Sequence, residues 1–192
     1  MIAMRARDNP FRVDRMHALR LRFDGGDSMD ALRARIAARG GRGAIVGPHG
    51  SGKTTLLLEL AESWRREGRR VRLLRIGDER HALTDPERAG LLMGLSADDV
   101  VLFDGACHLW PHHWWSIRRA LQPAGVLVIT AHRSGRLPTA LRTRTSPALL
   151  VELVRELGVD LADDELRACF TACRGDIRAV FRSLYEANAA GD

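Results

Sequence analysis

Lysine is almost missing from this chain: of its thirty Lys and Arg residues, Lys53 alone is lysine. That scarcity excludes an Asn-Lys-x-Asp guanine-reading motif elsewhere in the sequence. Cysteine is scarce too, with three residues. A sparse, odd count excludes a disulfide framework and suits a reducing compartment. Cys169 and Cys173 stand four apart on an expected helix, and they read as small core residues. Long apolar runs are absent; no segment approaches the roughly eighteen residues that span a bilayer. The expectation is therefore a cytoplasmic protein with no membrane partner. There is no internal repeat and no low-complexity tract.

What is present fits a folded domain. The chain has 192 residues, of which 45% are hydrophobic. That is enough for one core with a small appendage. The net charge is +6 and the sequence pI about 10.4. A basic balance admits a polyanion partner, but the arginines are scattered and form no single run.

Lys53 sits in the most informative segment, Gly47-Pro48-His49-Gly50-Ser51-Gly52-Lys53-Thr54-Thr55. This is G-x-x-x-x-G-K-S/T, the phosphate-binding P-loop. An apolar run, Gly43–Val46, precedes it and reads as a buried strand. A helical pattern from Thr55 to Arg66 follows. Glycines let backbone N–H groups turn toward phosphates, and the helix N-terminus adds positive potential. Lys53 supplies a compact ammonium to the β- and γ-phosphates, and the Thr54 hydroxyl suits Mg²⁺. The implied ligands are a nucleoside triphosphate and Mg²⁺.

Strand and helix signals alternate along the rest of the core. A helix is expected over 29–38, ended by Gly40-Gly41, and a second strand over 70–76. Thr84-Asp85-Pro86-Glu87 matches a capping box, so a short helix should follow to about Leu92. Further strands are expected over 100–104 and 125–131, with a short fifth over 140–145. Helices are expected over 113–122, from Ser146-Pro147 to about Leu157, and from an Asp163 or Asp164 cap to Cys173. The last helix should run from Asp176 to Asn188. This alternation predicts an α/β, three-layer fold with a central, mostly parallel five-stranded sheet. The expected divisions are a lead-in and helix over 1–40, a core over 41–158 and a helical lid over 159–192.

Asp104 ends an apolar strand some fifty residues beyond the P-loop, the Walker B pattern. Its carboxylate would hold Mg²⁺ opposite Thr54. Thr130-Ala131-His132 ends the next strand. The order Walker A, strand, Walker B, polar strand end resembles the additional-strand class of P-loop ATPases. That resemblance implies a γ-phosphate sensor at Thr130 or His132. Gly175-Asp176-Ile177-Arg178 resembles the sensor-2 pattern of AAA+ ATPases, in which a lid arginine reaches the bound phosphates; here that residue is Arg178. Asn9-Pro10-Phe11, a turn with an exposed aromatic candidate, resembles the segment that packs near adenine in some AAA+ proteins. The implied cofactors are ATP and Mg²⁺. The implied activity is that of a weak or partner-stimulated ATPase working as a switch, with a protein partner or a homo-oligomer.

The sequence departs from AAA+ ATPases at Gly105, where that family carries a water-orienting glutamate. Any such role falls to His108, His132 or another chain. Arg133, Arg136, Arg142 and Arg144 are finger candidates. His108-Leu109-Trp110-Pro111-His112-His113-Trp114-Trp115 has three readings: sheet packing with solvated histidines, a partner or base-stacking surface, or a transition-metal site at His108, His112 and His113. Two alternatives stand beside the AAA+-like reading. One is a small-molecule or nucleoside kinase, with Arg133–Arg144 as lid and Asp78 or Asp85 as base. The other is a nucleic-acid-binding ATPase. An ABC transporter subunit is disfavoured, because no LSGGQ-like signature lies between Lys53 and Asp104.

Overall fold

The computed structural model describes residues 9–11 and 28–189. These form two compact units. One comprises 28–47 and 53–143, the other 9–11, 48–52 and 144–189.

The first unit is built on five strands: β1 (Arg42–Val46), β2 (Arg70–Arg75), β3 (Asp99–Asp104), β4 (Val126–Ala131) and β5 (Thr139–Arg142). Their order is β2-β3-β4-β1-β5. All pairings among the described strands are parallel. The central β3 and β4 are buried along their whole length. Near-continuous apolar runs such as Val-Val-Leu-Phe are what a parallel sheet covered on both faces requires.

Alternation along the strands divides the core. Ala44, Val46, Val101, Phe103, Leu127 and Ile129 share one cluster with Leu91, Trp114, Ile117 and Leu121. Those four belong to, or directly follow, α3 (Asp85–Leu92) and α4 (Pro111–Ala120). Ile45, Leu102 and Val128 point the other way. On that side lie α1 (Met29–Ala37) and α2 (Lys53–Arg66), the latter burying Leu56, Leu57, Leu60, Ala61 and Trp64.

The expected helix signals act as physical chemistry requires. Ser28 caps α1, its hydroxyl accepting from the Ala31 amide at 3.1 Å. Thr84 and Glu87 form the complete capping box that starts α3. α4 begins earlier than its apolar pattern suggests, at Pro111 rather than His113. Proline is favoured at a first helical position, where its missing N–H costs nothing. β5 stops at Arg142 rather than Thr145.

The second unit holds α5 (Pro147–Glu156), α6 (Asp163–Ala172) and α7 (Ile177–Ala189). Its core gathers Leu150, Val154, Leu166, Val180, Phe181 and Phe11, with Cys169 and Cys173 packed on its margin. Two expectations are corrected here. Asp163 and Asp164 lie within the first turn of α6, and the N-cap is Ala162, with no side-chain cap bond. Their carboxylates face the positive helix end from inside that turn. Phe11 is not exposed: it is 1% accessible, with its ring 6.0 Å from that of Phe181. Asn9 makes this possible. Its Oδ1 accepts from the Phe11 amide and its Nδ2 donates to the Tyr185 carbonyl, each at 3.0 Å. The rest of the lead-in lies outside the described residues.

Candidate functional site

The P-loop glycines adopt the backbone that the motif needs. Gly50 and Gly52 have φ of +68° and +80°, the left-handed region that L side chains avoid. Ser51 is buried and its hydroxyl donates to the Pro48 carbonyl at 2.8 Å, closing the loop on itself. Pro48 and His49 are exposed. Gly50 also has no room for a side chain. A Cβ there would lie 2.2 Å from Asp176 Oδ1, 2.8 Å from the Ile177 nitrogen and 2.9 Å from the Arg178 nitrogen. The N-terminus of α7 is thus seated on the tip of the P-loop. Asp176 caps that helix, accepting from the Ala179 amide at 3.1 Å. Arg178 is the second residue of α7, and its side chain is exposed.

Lys53 and Thr54 open α2, and Gly47 follows β1. Lys53 is 9% accessible, which is low for lysine. Thr54 donates from Oγ1 to Asp104 Oδ2 at 2.9 Å. Asp104 stands at the C-terminal end of β3. Its other oxygen, Oδ1, accepts from the Thr130 hydroxyl at 2.7 Å. That hydroxyl in turn accepts from the Gly105 amide at 2.8 Å. Arg75 Nε donates to Asp104 Oδ2 at 3.0 Å. The carboxylate is therefore fixed from three strands: its own, β4 through Thr130 and β2 through Arg75. The expected Mg²⁺ pair, Thr54 and Asp104, is in mutual contact. Hard oxygen donors from a hydroxyl and a carboxylate are the chemistry Mg²⁺ accepts.

Thr130 is 2% accessible and fully engaged by Asp104 and Gly105. It positions the carboxylate. His132, just beyond β4, has Nδ1 3.4 Å from the Gly47 carbonyl and its ring 5.5 Å from that of His108. Thr55 is half-buried in the first turn of α2.

Gly105 explains the missing glutamate. Its φ is +80°, and a Cβ there would stand 2.1 Å from the Ile76 carbonyl oxygen. No side chain of any kind fits this turn, so a glutamate would need a different backbone after Asp104.

The finger candidates separate. Arg136 is committed to the fold: it donates to the Cys107 carbonyl at 3.2 Å and lies 5.4 Å from the Trp114 ring. Burial pushes its pKa below the usual guanidinium value. Arg142 ends β5 and reaches Ser134 at 3.4 Å. Arg133 and Arg144 are exposed. Asp78 pairs with His108, its Oδ1 3.1 Å from Nε2, and Asp85 lies in the first turn of α3. The tryptophans also divide. Trp114 is buried against Phe103, with centroids 6.4 Å apart, whereas Trp110 and Trp115 are 54% and 63% accessible. His81 stacks on Trp110 at 5.7 Å and Arg119 covers Trp115 at 5.9 Å.

Sequence reasoning missed Arg75. A signal for it existed: in the parallel β2–β3 register, Arg75 pairs with Asp104. Two strands that end together bring their terminal charges together.

No protein-family model matches the chain. Two phosphonates import ATP-binding proteins of Pseudomonas aeruginosa, PhnC 2 and PhnC 1, are each 44% identical to it over 79 residues. That stretch is 41% of this chain and 27% of each relative. A solved structure of a RuvB point mutant from Thermotoga maritima matches with a TM-score of 0.50 and 18% identity. It covers 82% of this chain and 61% of that one. Together these similarities show an α/β P-loop fold.

Proposed function

We propose that this chain binds ATP with Mg²⁺ and acts as an AAA+-like, nucleotide-dependent switch whose own hydrolysis is slow or stimulated by a partner. The observation that carries the proposal is the Thr54–Asp104 contact at 2.9 Å, made directly behind a P-loop whose glycines adopt left-handed backbone. Loop 47–52 and Lys53 would hold the phosphates, while Thr54 and Asp104 would hold Mg²⁺. The cation would neutralise phosphate charge. The ATP-binding relatives support adenine over guanine.

The strand order supports the additional-strand class, because β4 lies between the P-loop strand and the Asp104 strand. Seating of the α7 N-terminus on Gly50 supports the sensor-2 reading, since Arg178 follows that contact directly. Gly105 supports slow turnover. Without a carboxylate after Asp104, no acidic side chain there positions the attacking water, and loss of a positioned base costs about 10²–10⁴ in rate. The kinase alternative loses its lid, because residues 139–142 of the Arg133–Arg144 run form β5 and pair with β1.

The test is ATP turnover together with limited proteolysis of α6 and α7, with and without ATP. The proposal expects slow turnover that Lys53→Ala abolishes, and ATP-dependent protection that Arg178→Ala weakens without unfolding the chain. Protease sensitivity unchanged by ATP would sink the switch.

A second reading, a nucleic-acid-stimulated ATPase, draws on exposed Trp110 and Trp115. Trp115 lies beneath Arg119 in a surface pocket that Arg88 also lines. An aromatic face with arginines suits base stacking and phosphate contact. Single-stranded DNA should then raise turnover in wild type and not in Trp115→Ala; equal rates with and without DNA would remove this reading.

A further inference from the structure

Among the described residues, one group of metal-ligating side chains converges outside the Thr54–Asp104 pair: Cys107, His108 and His132. Their ligand atoms all lie within 4.8 Å of one another, and each residue is partly buried. We propose that these three residues form a binding site for a thiophilic divalent transition ion of the Zn²⁺ type, with one position left open for an exogenous ligand.

The scaffold is stiff where the site needs it. Cys107 and His108 sit on a single 3₁₀ turn, Ala106–His108, which starts at Gly105. His132 directly follows β4. The two strand ends are tied by the Gly105 amide to Thr130 and by Thr130 to Asp104. Around tetrahedral Zn²⁺, with Zn–N about 2.0 Å and Zn–S about 2.3 Å, neighbouring donors stand roughly 3.3–3.7 Å apart. The observed group is wider than that spacing by at most about 1.5 Å.

The surroundings match a metal-bound histidine pair. A ligating histidine gives its other ring nitrogen to a carboxylate or carbonyl, which fixes the tautomer. His108 Nε2 faces Asp78 Oδ1 at 3.1 Å, which assigns Nδ1 to the ion. His132 Nδ1 faces the Gly47 carbonyl at 3.4 Å, which assigns Nε2. The Arg136 guanidinium donates to the Cys107 carbonyl at 3.2 Å and brings positive charge to the same turn. One sulfur and two imidazoles select Zn²⁺ or Co²⁺ and reject Mg²⁺, so this site is chemically distinct from the oxygen pair at Thr54 and Asp104. The His112 and His113 rings lie 4.2 Å apart, tilted by 41°, and stand outside this group.

The experiment titrates nucleotide-free, reduced protein with Co²⁺, then displaces it with Zn²⁺. Wild type should bind one equivalent and show a thiolate-to-cobalt charge-transfer band with the d–d bands of a tetrahedral ion. Cys107→Ser should abolish the charge-transfer band. His132→Asn should weaken binding by more than about tenfold, and Asp78→Asn by about 10–100-fold, as removal of an outer partner does. The double variant Cys169→Ser/Cys173→Ser should keep the full spectrum. Circular dichroism of each variant confirms folding. No charge-transfer band in wild type, a band that survives Cys107→Ser, or one lost in the Cys169/Cys173 variant would each overturn the site.

Discussion

Two aspartates mark the two ends of β3, and they are held in opposite ways. Asp99, at the N-terminal end, is completely buried and is paired with two arginines: Arg70 binds both its oxygens, and Arg72 reaches it at 3.2 Å. The Ser96 amide donates to it at 2.7 Å. Burial pushes its pKa up, but the Arg70 bond, the Ser96 amide and the charges of Arg72 and Arg70 outweigh this and hold it at about 2. Asp104, at the other end, binds two hydroxyls and one arginine, and that Arg75 side chain is 58% accessible. An ion-locked carboxylate is committed to the fold. A carboxylate held by hydroxyls keeps lone pairs that a cation can take. In parallel sheets ligands gather at the carboxyl ends of strands, and the difference between these residues is that rule at the level of side chains.

The comparison breaks most sharply at Asp99. Asp99→Ala should cost about 4 kcal/mol, because it strands the mostly buried Arg72 without a counter-charge. Urea unfolding measures this, and a loss under about 1 kcal/mol would show that water replaces the carboxylate freely. Gly105→Ala should cost about 2–3 kcal/mol from left-handed strain and the Ile76 clash. Gly105→Glu should cost at least as much and restore no hydrolysis. A gain in turnover would mean that the turn is malleable. Asp104→Asn should move stability by only about 1 kcal/mol, since an amide keeps part of the hydrogen bonding. It should nonetheless remove the Mg²⁺ dependence of ATP binding.

The smallest effect concerns pH. The folded pKa of Asp99 lies below its ordinary 3.8. Its stabilisation is therefore full above about pH 4 and fades as pH falls toward 2. Asp99→Asn should flatten that part of the stability profile.

These contrasts also show what the sequence could tell. Strand runs, capping signals and the P-loop are local, so β1 to β4 and the Thr84 capping box were legible to within a residue or two. Asp104 was legible because a strand end and a motif distance both pointed to it. Thr130 was legible as a polar strand end, but its bond to Asp104, and the ion pairs of Arg75 and Asp99, required knowing which strands are neighbours. That order, with β4 between β1 and β3, is a property of the assembled sheet. Phe11 misled because a short Asn-Pro-Phe turn reads as surface, while the buried face that receives it belongs to helices that begin only at Pro147. His132 and Cys107 lie on different strand ends, so only the three-dimensional arrangement joins them.

The central claim is that the P-loop and Asp104 together make a Mg²⁺–ATP site. Calorimetric titration of ATP into wild type, Lys53→Ala and Asp104→Asn, each with and without Mg²⁺, addresses it most directly. The account predicts saturable Mg²⁺-dependent binding in wild type, no binding in Lys53→Ala, and weak, Mg²⁺-insensitive binding in Asp104→Asn. Binding that is equal in all three proteins would contradict it.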